Sequence, residues 1–179
     1  MRINQIVWQH GGMAAVISVI LSLVAYILGV ELLIGWQLGV AQSILIITTM
    51  IVVSRAIRAD EGGFISYWRV VQHIMISLLC ILFASALFNI VLFNVISPDL
   101  VDVVLDISLD KVEEMMETFG LEGDILKETM IETEKEIRNG YTLAGSIKGI
   151  IYASIFWGII GLIVSATQYK NDDSKPNFN

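Results

Sequence analysis

The chain has 179 residues, 55% of them hydrophobic and 16% charged, with a mean hydropathy of +0.73 and a formal net charge of −7. Ordinary soluble domains are about 45–50% apolar and about 25% charged, so this composition excludes intrinsic disorder and points to a membrane. The acidic balance argues against nucleic acid, whose phosphates need basic surface, and the single cysteine, Cys80, excludes an intrachain disulfide framework.

Four long apolar runs follow one another, at about 11–30, 35–53, 72–96 and 146–167. A helix rises about 1.5 Å per residue, so about 20 residues cross a hydrocarbon layer of about 30 Å. The runs are too long and too continuously apolar for barrel strands, and they predict membrane helices. Arg2 gives the first run a positive start, but its apolar stretch is long for a signal core and no Ala-x-Ala site follows, so it is read as an uncleaved helix. Trp8, Trp36, Tyr67, Trp68 and Tyr169 fall near predicted ends, where amphipathic rings prefer to sit, whereas Trp157 lies inside the fourth run.

Lys and Arg in short loops set orientation. The link at Glu31–Gln37 has none, the link after the second run carries Arg55, Arg58 and Arg69, and the tail carries Lys170 and Lys175. The expected arrangement puts both termini in the cytoplasm of a bacterial cell, with the protein in its inner membrane.

Between the third and fourth runs lies different material. From Pro98 to Gly140 there are 13 acidic and four basic residues, a net of −9, while the rest of the chain has five acidic and seven basic, a net of +2. Ser97–Pro98–Asp99 reads as a helix start, and Gly120 as a stop. Val101, Leu105, Val112, Met115, Met116 and Phe119 fall on one face of the first helix, while Asp99, Asp102, Asp106, Asp110, Glu113 and Glu117 recur along another. A second helix at about 122–138 carries Leu126, Met130 and Ile137 as its stripe, with Glu134 and Arg138 as an i,i+4 pair. The fold class is therefore all-α: one integral membrane domain over 1–179, a four-helix transmembrane bundle with an extracytoplasmic acidic helical hairpin at about 97–141 and a cytoplasmic tail at 168–179.

A helical ridge spreads carboxylates along its length rather than around one ion, and no EF-hand pattern is present, so the ridge reads as a solvated face or a face for a basic protein. His10 and His73 lack zinc-ligand spacing, Cys80 sits in an apolar run, and the chain has no nucleophile-elbow, zincin or P-loop motif. No metal, cofactor or catalytic residue is assigned. Gly62–Gly63 beside Asp60–Glu61 reads as a turn, since those carboxylates oppose phosphate, and the neighbouring arginines suit anionic headgroups. Glu31 and Lys148, at the outer ends of their helices, form the expected structural ion pair. Gly35/Gly39, Gly145/Gly149, Ser154/Gly158 and Gly161 have the spacing of close helix packing. Gln42, Thr48, Asn89 and Asn94 are polar groups within the apolar runs.

The motif Arg58–Ala59–Asp60–Glu61–Gly62–Gly63–Phe64–Ile65–Ser66–Tyr67, the exit Phe93–Asn94–Val95–Ile96–Ser97–Pro98–Asp99 and the run Glu113–Glu114–Met115–Met116–Glu117 occur in order along the chain. Together with the final apolar helix and Lys-bearing tail they resemble the domain of unknown function 4199, a bacterial membrane family common in Bacteroidota. The resemblance implies a four-pass inner-membrane protein and carries no functional residues. The expected role is non-catalytic, an accessory or scaffold protein of the cell envelope. Its acidic ridge or the Met115/Met116/Phe119 face would engage an envelope protein or a second copy of the chain. The alternative is a small oligomeric transporter or channel subunit lined by Gln42, Thr48, Asn89 and Asn94.

Overall fold

A computed structural model describes residues 2–120 and 123–170, with side chains from residue 5 onward. The helices are α1 (Arg2–Leu28), α2 (Val30–Leu33), α3 (Trp36–Asp60), α4 (Tyr67–Val91), α5 (Leu100–Thr118), α6 (Asp124–Gly140) and α7 (Leu143–Gln168), with a π-helical turn over Leu92–Ile96 extending α4. Four of these are long and apolar enough to cross a membrane: Gln5–Leu28, Trp36–Asp60, Tyr67–Ile96 and Leu143–Gln168. No β-strand occurs among the described residues, where the extended pairing is a single bridge between Ile65 and Lys170. The chain is a multi-pass, all-α membrane protein.

Several bounds differ from the sequence expectation. Gly29 takes a φ of +141°, which ends α1 at Leu28, two residues before the expected bound, and the link to the next membrane helix holds the short α2. Arg55 and Arg58 lie in the last turns of α3, and Arg69 in the first turn of α4, rather than in a loop. Arginine is a good helix former, so the helix continues past its apolar stretch. The reversal itself is made by Gly62 and Gly63, both at positive φ. Ile65 and Lys170 exchange backbone hydrogen bonds of 2.8 and 3.0 Å, and Arg58 donates to the Gln168 carbonyl at 3.3 Å, so the end of α7 is tied to this turn. Lys175 lies outside the described residues.

Helix α4 is the centre of the bundle. It packs against α1, α3 and α7, α1 also packs on α3, and α7 touches α3 along a shorter stretch. The main core joins Val7, Ala14, Ile46, Met50, Val53, Ile57, Val70, Ile74, Leu78 and Ile81. Small residues set the closest approaches. A Cβ on Gly11 would stand 3.1 Å from Ser77 Cα, and one on Gly161 would stand 3.1 Å from Ile74 Cγ2 and 3.7 Å from Met50 Cε.

Polar groups in these helices are bonded in two ways. Thr49, Ser54, Ser77 and Ser165 donate to the carbonyl four residues earlier, which satisfies each hydroxyl within its own helix. Gln42 works between helices. Ser18 Oγ donates to Gln42 Oε1 at 2.8 Å and lies 2.7 Å from Ser85 Oγ, while Gln42 Nε2 donates to the Ser18 carbonyl at 3.0 Å and to Ser22 Oγ at 3.3 Å. This cluster joins α1, α3 and α4, with Ser18 fully buried.

Two outcomes follow for purified protein in detergent. Gly161→Leu forces a side chain against Ile74 and costs about 1–3 kcal/mol by overpacking, whereas Gly12→Ala, with open space around it, does not lower the thermal midpoint. Gln42→Leu removes the bonds from α3 to α1, each worth about 0.6–2 kcal/mol in a membrane bundle, and leaves Ser18 only its contact with Ser85 and Ser22 without a partner; the thermal midpoint falls, and an unchanged midpoint would show that the Gln42 bonds contribute nothing.

Candidate functional site

Two regions remain after the core is assigned: the α5–α6 pair and a cleft between α3 and α7. Helices α5 and α6 lie against each other, and α5 also contacts α2. Their root is a second core, in which Leu100 and Val104 join Leu92 and Phe93, with Tyr26, Val30, Leu33, Ile34, Ile137 and Tyr141 packed around it. Phe93 and Tyr141 hold their ring centroids 4.0 Å apart. Leu100 and Val104 lie off the predicted stripe; they form a second buried row beside Val101 and Leu105, so the buried face of α5 is wider at its root than one stripe. Ser97 does not cap the helix: its hydroxyl lies 2.7 Å from Tyr26 Oη, and α5 begins at Leu100 without a side-chain cap.

The predicted apolar face divides. Leu105 and Met116 are buried, Val101 and Val112 half-buried, but Met115 and Phe119 are 51% and 73% exposed. On the second helix Leu126, Met130 and Ile137 are half-buried, as its stripe requires, while Ile125 is 56% exposed. The predicted turn holds in part: Gly120 follows α5 at a φ of +69° and Gly123 precedes α6 at +72°, while residues 121–122 lie outside the described ones. The acids Asp99, Asp102, Asp106, Asp110, Glu113 and Glu117 are all exposed. Asp102 accepts from Arg138 Nη1 at 2.9 Å, and Arg138 Nε donates to Glu134 at 3.0 Å, so one guanidinium links the two helices. Glu134 and then Asp102 raise the Arg138 pKa above its ordinary value. These pairs are exposed and screened by water, so they orient the two helices more than they stabilise them.

Glu31 and Lys148 are not paired. The salt bridges among the described residues are Arg69–Glu61, Arg138–Asp102 and Arg138–Glu134. The reason is the short helix α2, which packs on α1, α3 and α5 and carries Glu31 to a hollow beside Ile107 rather than toward α7. At the opposite end of the bundle, Arg69 Nε lies 2.9 Å from Glu61 Oε1, a charge contact without hydrogen-bond alignment.

The cleft arises because α3 and α7 meet near Met50 and Gly161 and diverge toward α5. It comprises adjoining cavities of about 500 and 310 Å³ that share Leu82, Ser85, Asn89 and Tyr141. Gly35, Gly39 and Gln42 form the α3 wall, and Gly145, Gly149 and Ala153 the α7 wall. The expected close packing at two of the glycine pairs is therefore corrected. A Cβ on Gly39 or Gly149 would meet nothing within 4 Å. Gly145 is needed locally, since a Cβ there would collide with the Asn139 carbonyl where α6 turns into α7. Trp157 lines the larger cavity and packs on the main core. Burial raises the Tyr141 pKa above its ordinary value, so this phenol is neutral at neutral pH.

The other singled-out residues fall elsewhere. Gln42 and Asn89 share the cleft, but Asn94 Nδ2 donates to the Ile90 and Tyr141 carbonyls and Thr48 faces outward, so the four polar residues do not line one path. His10 Nδ1 donates to the Ile6 carbonyl at 2.9 Å, and His73 Nδ1 bonds the Arg69 carbonyl. Cys80 is a free, half-buried thiol in α4. No group of three His, Cys, Asp or Glu side chains that could hold a metal ion occurs among the described residues.

No curated protein and no solved structure matches the chain. One family model, described as a protein of unknown function (DUF4199), matches residues 9–167. That range starts in α1, spans the α5–α6 pair and ends in the last turn of α7. The chain therefore belongs to the DUF4199 family of proteins of unknown function.

Proposed function

We propose that this protein is a non-catalytic accessory or scaffold protein of the bacterial inner membrane, and that the α5–α6 pair is its docking element on the extracytoplasmic side. The carrying observation is the distribution of exposed apolar side chains. Met115, Phe119 and Ile125 stand exposed around the connection between α5 and α6, at the end of the pair remote from its root at Leu100 and Val104. Aromatic and methionine side chains presented on a rigid support are the usual anchors of protein–protein contact. The exposed acids Asp110, Glu113 and Glu117, in the last turns of α5, give the tip negative charge, which favours a partner bearing apolar groups within a basic rim. The root packs into the bundle, so the tip is held at a fixed place relative to the membrane instead of trailing on a linker.

Orientation follows from Arg55, Arg58 and Arg69 at the opposite end of the helices, whose positive charge keeps that end and both termini in the cytoplasm. A phosphatase reporter inserted at Gly120 should be active in intact cells, and one fused after Lys170 inactive; the reverse pattern would place the tip in the cytoplasm. A photocrosslinking amino acid at Phe119 should trap a discrete protein product in native membranes. Met115→Ser with Ile125→Ser should weaken that capture by about tenfold or more, the scale of losing interface anchors. The same protein set recovered after deletion of residues 100–140 would overturn the docking role. Products consisting of a second copy of the chain would identify the partner as itself.

A further inference from the structure

We propose that the cleft between α3 and α7 is a lateral binding site for one membrane-lipid chain, with the lipid's uncharged ester or hydroxyl region held at Asn89 and Tyr141. The position of the cleft is the first ground. Its walls belong to three helices long and apolar enough to span the membrane, and the faces of α3 and α7 beside it carry outward-facing Ile44, Ile47, Ile151 and Ile155. Hydrocarbon chains therefore lie at its mouth. Asn89 stands seven residues before the end of the π-helical turn and Gln42 six residues after the start of α3, each about 10 Å along its helix from the same end of the bundle.

The chemistry of the walls is the second ground. Neither cavity has a charged lining residue, so the site does not suit an ion or a charged solute. Gly39, Gly149 and Ala153 leave room where larger side chains would have closed α3 onto α7. The combined space falls in the range of small-ligand sites, about 300–1,000 Å³. Gln42 and Ser85 are bonded within the protein, but neither the Asn89 amide nor the Tyr141 hydroxyl has a hydrogen-bond partner among the described residues. An amide in hydrocarbon without a partner costs several kcal/mol in cyclohexane-like surroundings, so it demands a polar group from its occupant. An occupant that is apolar along most of its length and carries one uncharged acceptor meets both requirements. A lipid acyl chain entering sideways, with its ester carbonyl at Asn89 Nδ2, is such an occupant.

The test uses the full chain in vesicles of phosphatidylethanolamine and phosphatidylglycerol doped with phosphatidylethanolamine carrying a diazirine on one acyl chain. After illumination, residue-level mass spectrometry compares adducts at Leu82, Ile150 and Ala153 with adducts at the outward-facing Ile155, Ile159 and Ile163. Enrichment at the cleft by about tenfold is expected, equivalent to about 1.4 kcal/mol of preference. Gly149→Leu fills the cleft and should abolish the enrichment while labelling of the outer face persists. Gly39→Leu fills it from the opposite wall and stands in if the first variant does not fold. Asn89→Leu, which keeps the volume and removes the amide, should reduce the enrichment, and Asn89→Gln should restore part of it. Equal labelling of cleft and outer face, unchanged by either filling variant, would overturn the site. So would rapid reaction of Ala153→Cys, in a Cys80→Ala background, with a membrane-impermeant maleimide, since that identifies a water-filled vestibule.

Discussion

Hydrocarbon offers no hydrogen bonds, and this constraint organises the whole structure. A polar group carried into the membrane is costly unless it finds a partner inside the protein or is met by something that enters from outside, and Ser154 Oγ in α7 is buried without one. The backbone solves the problem by remaining helical, and most hydroxyls solve it by bonding back within their own helix. Gln42 cannot do so with both ends of its amide. It reaches Ser18 and Ser22 on α1, and Ser18 in turn reaches Ser85 on α4. One side chain thus defines how α1, α3 and α4 stand against one another. Leu-like residues would bind these helices no better than they bind lipid tails, so the polar cluster supplies specificity that apolar packing alone lacks.

The same constraint explains why small residues have opposite consequences along α7. At Gly161 the missing side chain lets α7 approach Ile74 and Met50, and the contact is tight. At Gly149 the missing side chain faces open space. Both glycines share one helix and an identical sequence appearance, and the difference lies in what stands opposite. The π-helical turn at Leu92–Ile96 widens α4 at the end where the cleft lies, and Leu92 and Phe93 on that turn are packed by Leu100 and Val104. The α5–α6 pair is therefore continuous with the wall of the cleft through Phe93 and Tyr141.

Much of this was legible in the sequence, for a physical reason. Four uncharged runs near membrane length have no stable alternative in water, so their helices follow from hydropathy alone. Acids at helical spacing, with Gly120 as a stop, similarly mark α5. What sequence could not settle depends on relative rotation and lateral distance. A glycine spacing cannot say whether a neighbour is near, so Gly39 and Gly149 read the same as Gly161. Two opposite charges at helix ends cannot reveal that α2 intervenes, which is why Glu31 and Lys148 looked like partners. Asn89 and Asn94 were equivalent polar interruptions until the fold assigned Asn94 to the Tyr141 carbonyl and left Asn89 facing a cavity. Only Gln42 carried a usable signal: an amide mid-run with serines at Ser18 and Ser22, one turn apart on another helix, is the spacing of a side chain bridging two turns.

The acidic charge acquires a sharper meaning from this placement. Its net of −9 over residues 98–140 is mostly unpaired, and Arg138 links only Asp102 and Glu134. Those exposed carboxylates do not hold the fold together, because the pair is anchored by Leu100, Val104, Leu105 and Met116. Mutual repulsion along α5 opposes the helix slightly, by tenths of a kcal/mol per close pair of like charges. That cost falls at the exposed Asp106, Asp110, Glu113 and Glu117, beside the exposed Phe119, whereas the packing of α5 rests on its buried residues. The anchoring core and the exposed tip use different residues, so the tip can vary in chemistry while its attachment to the bundle stays the same.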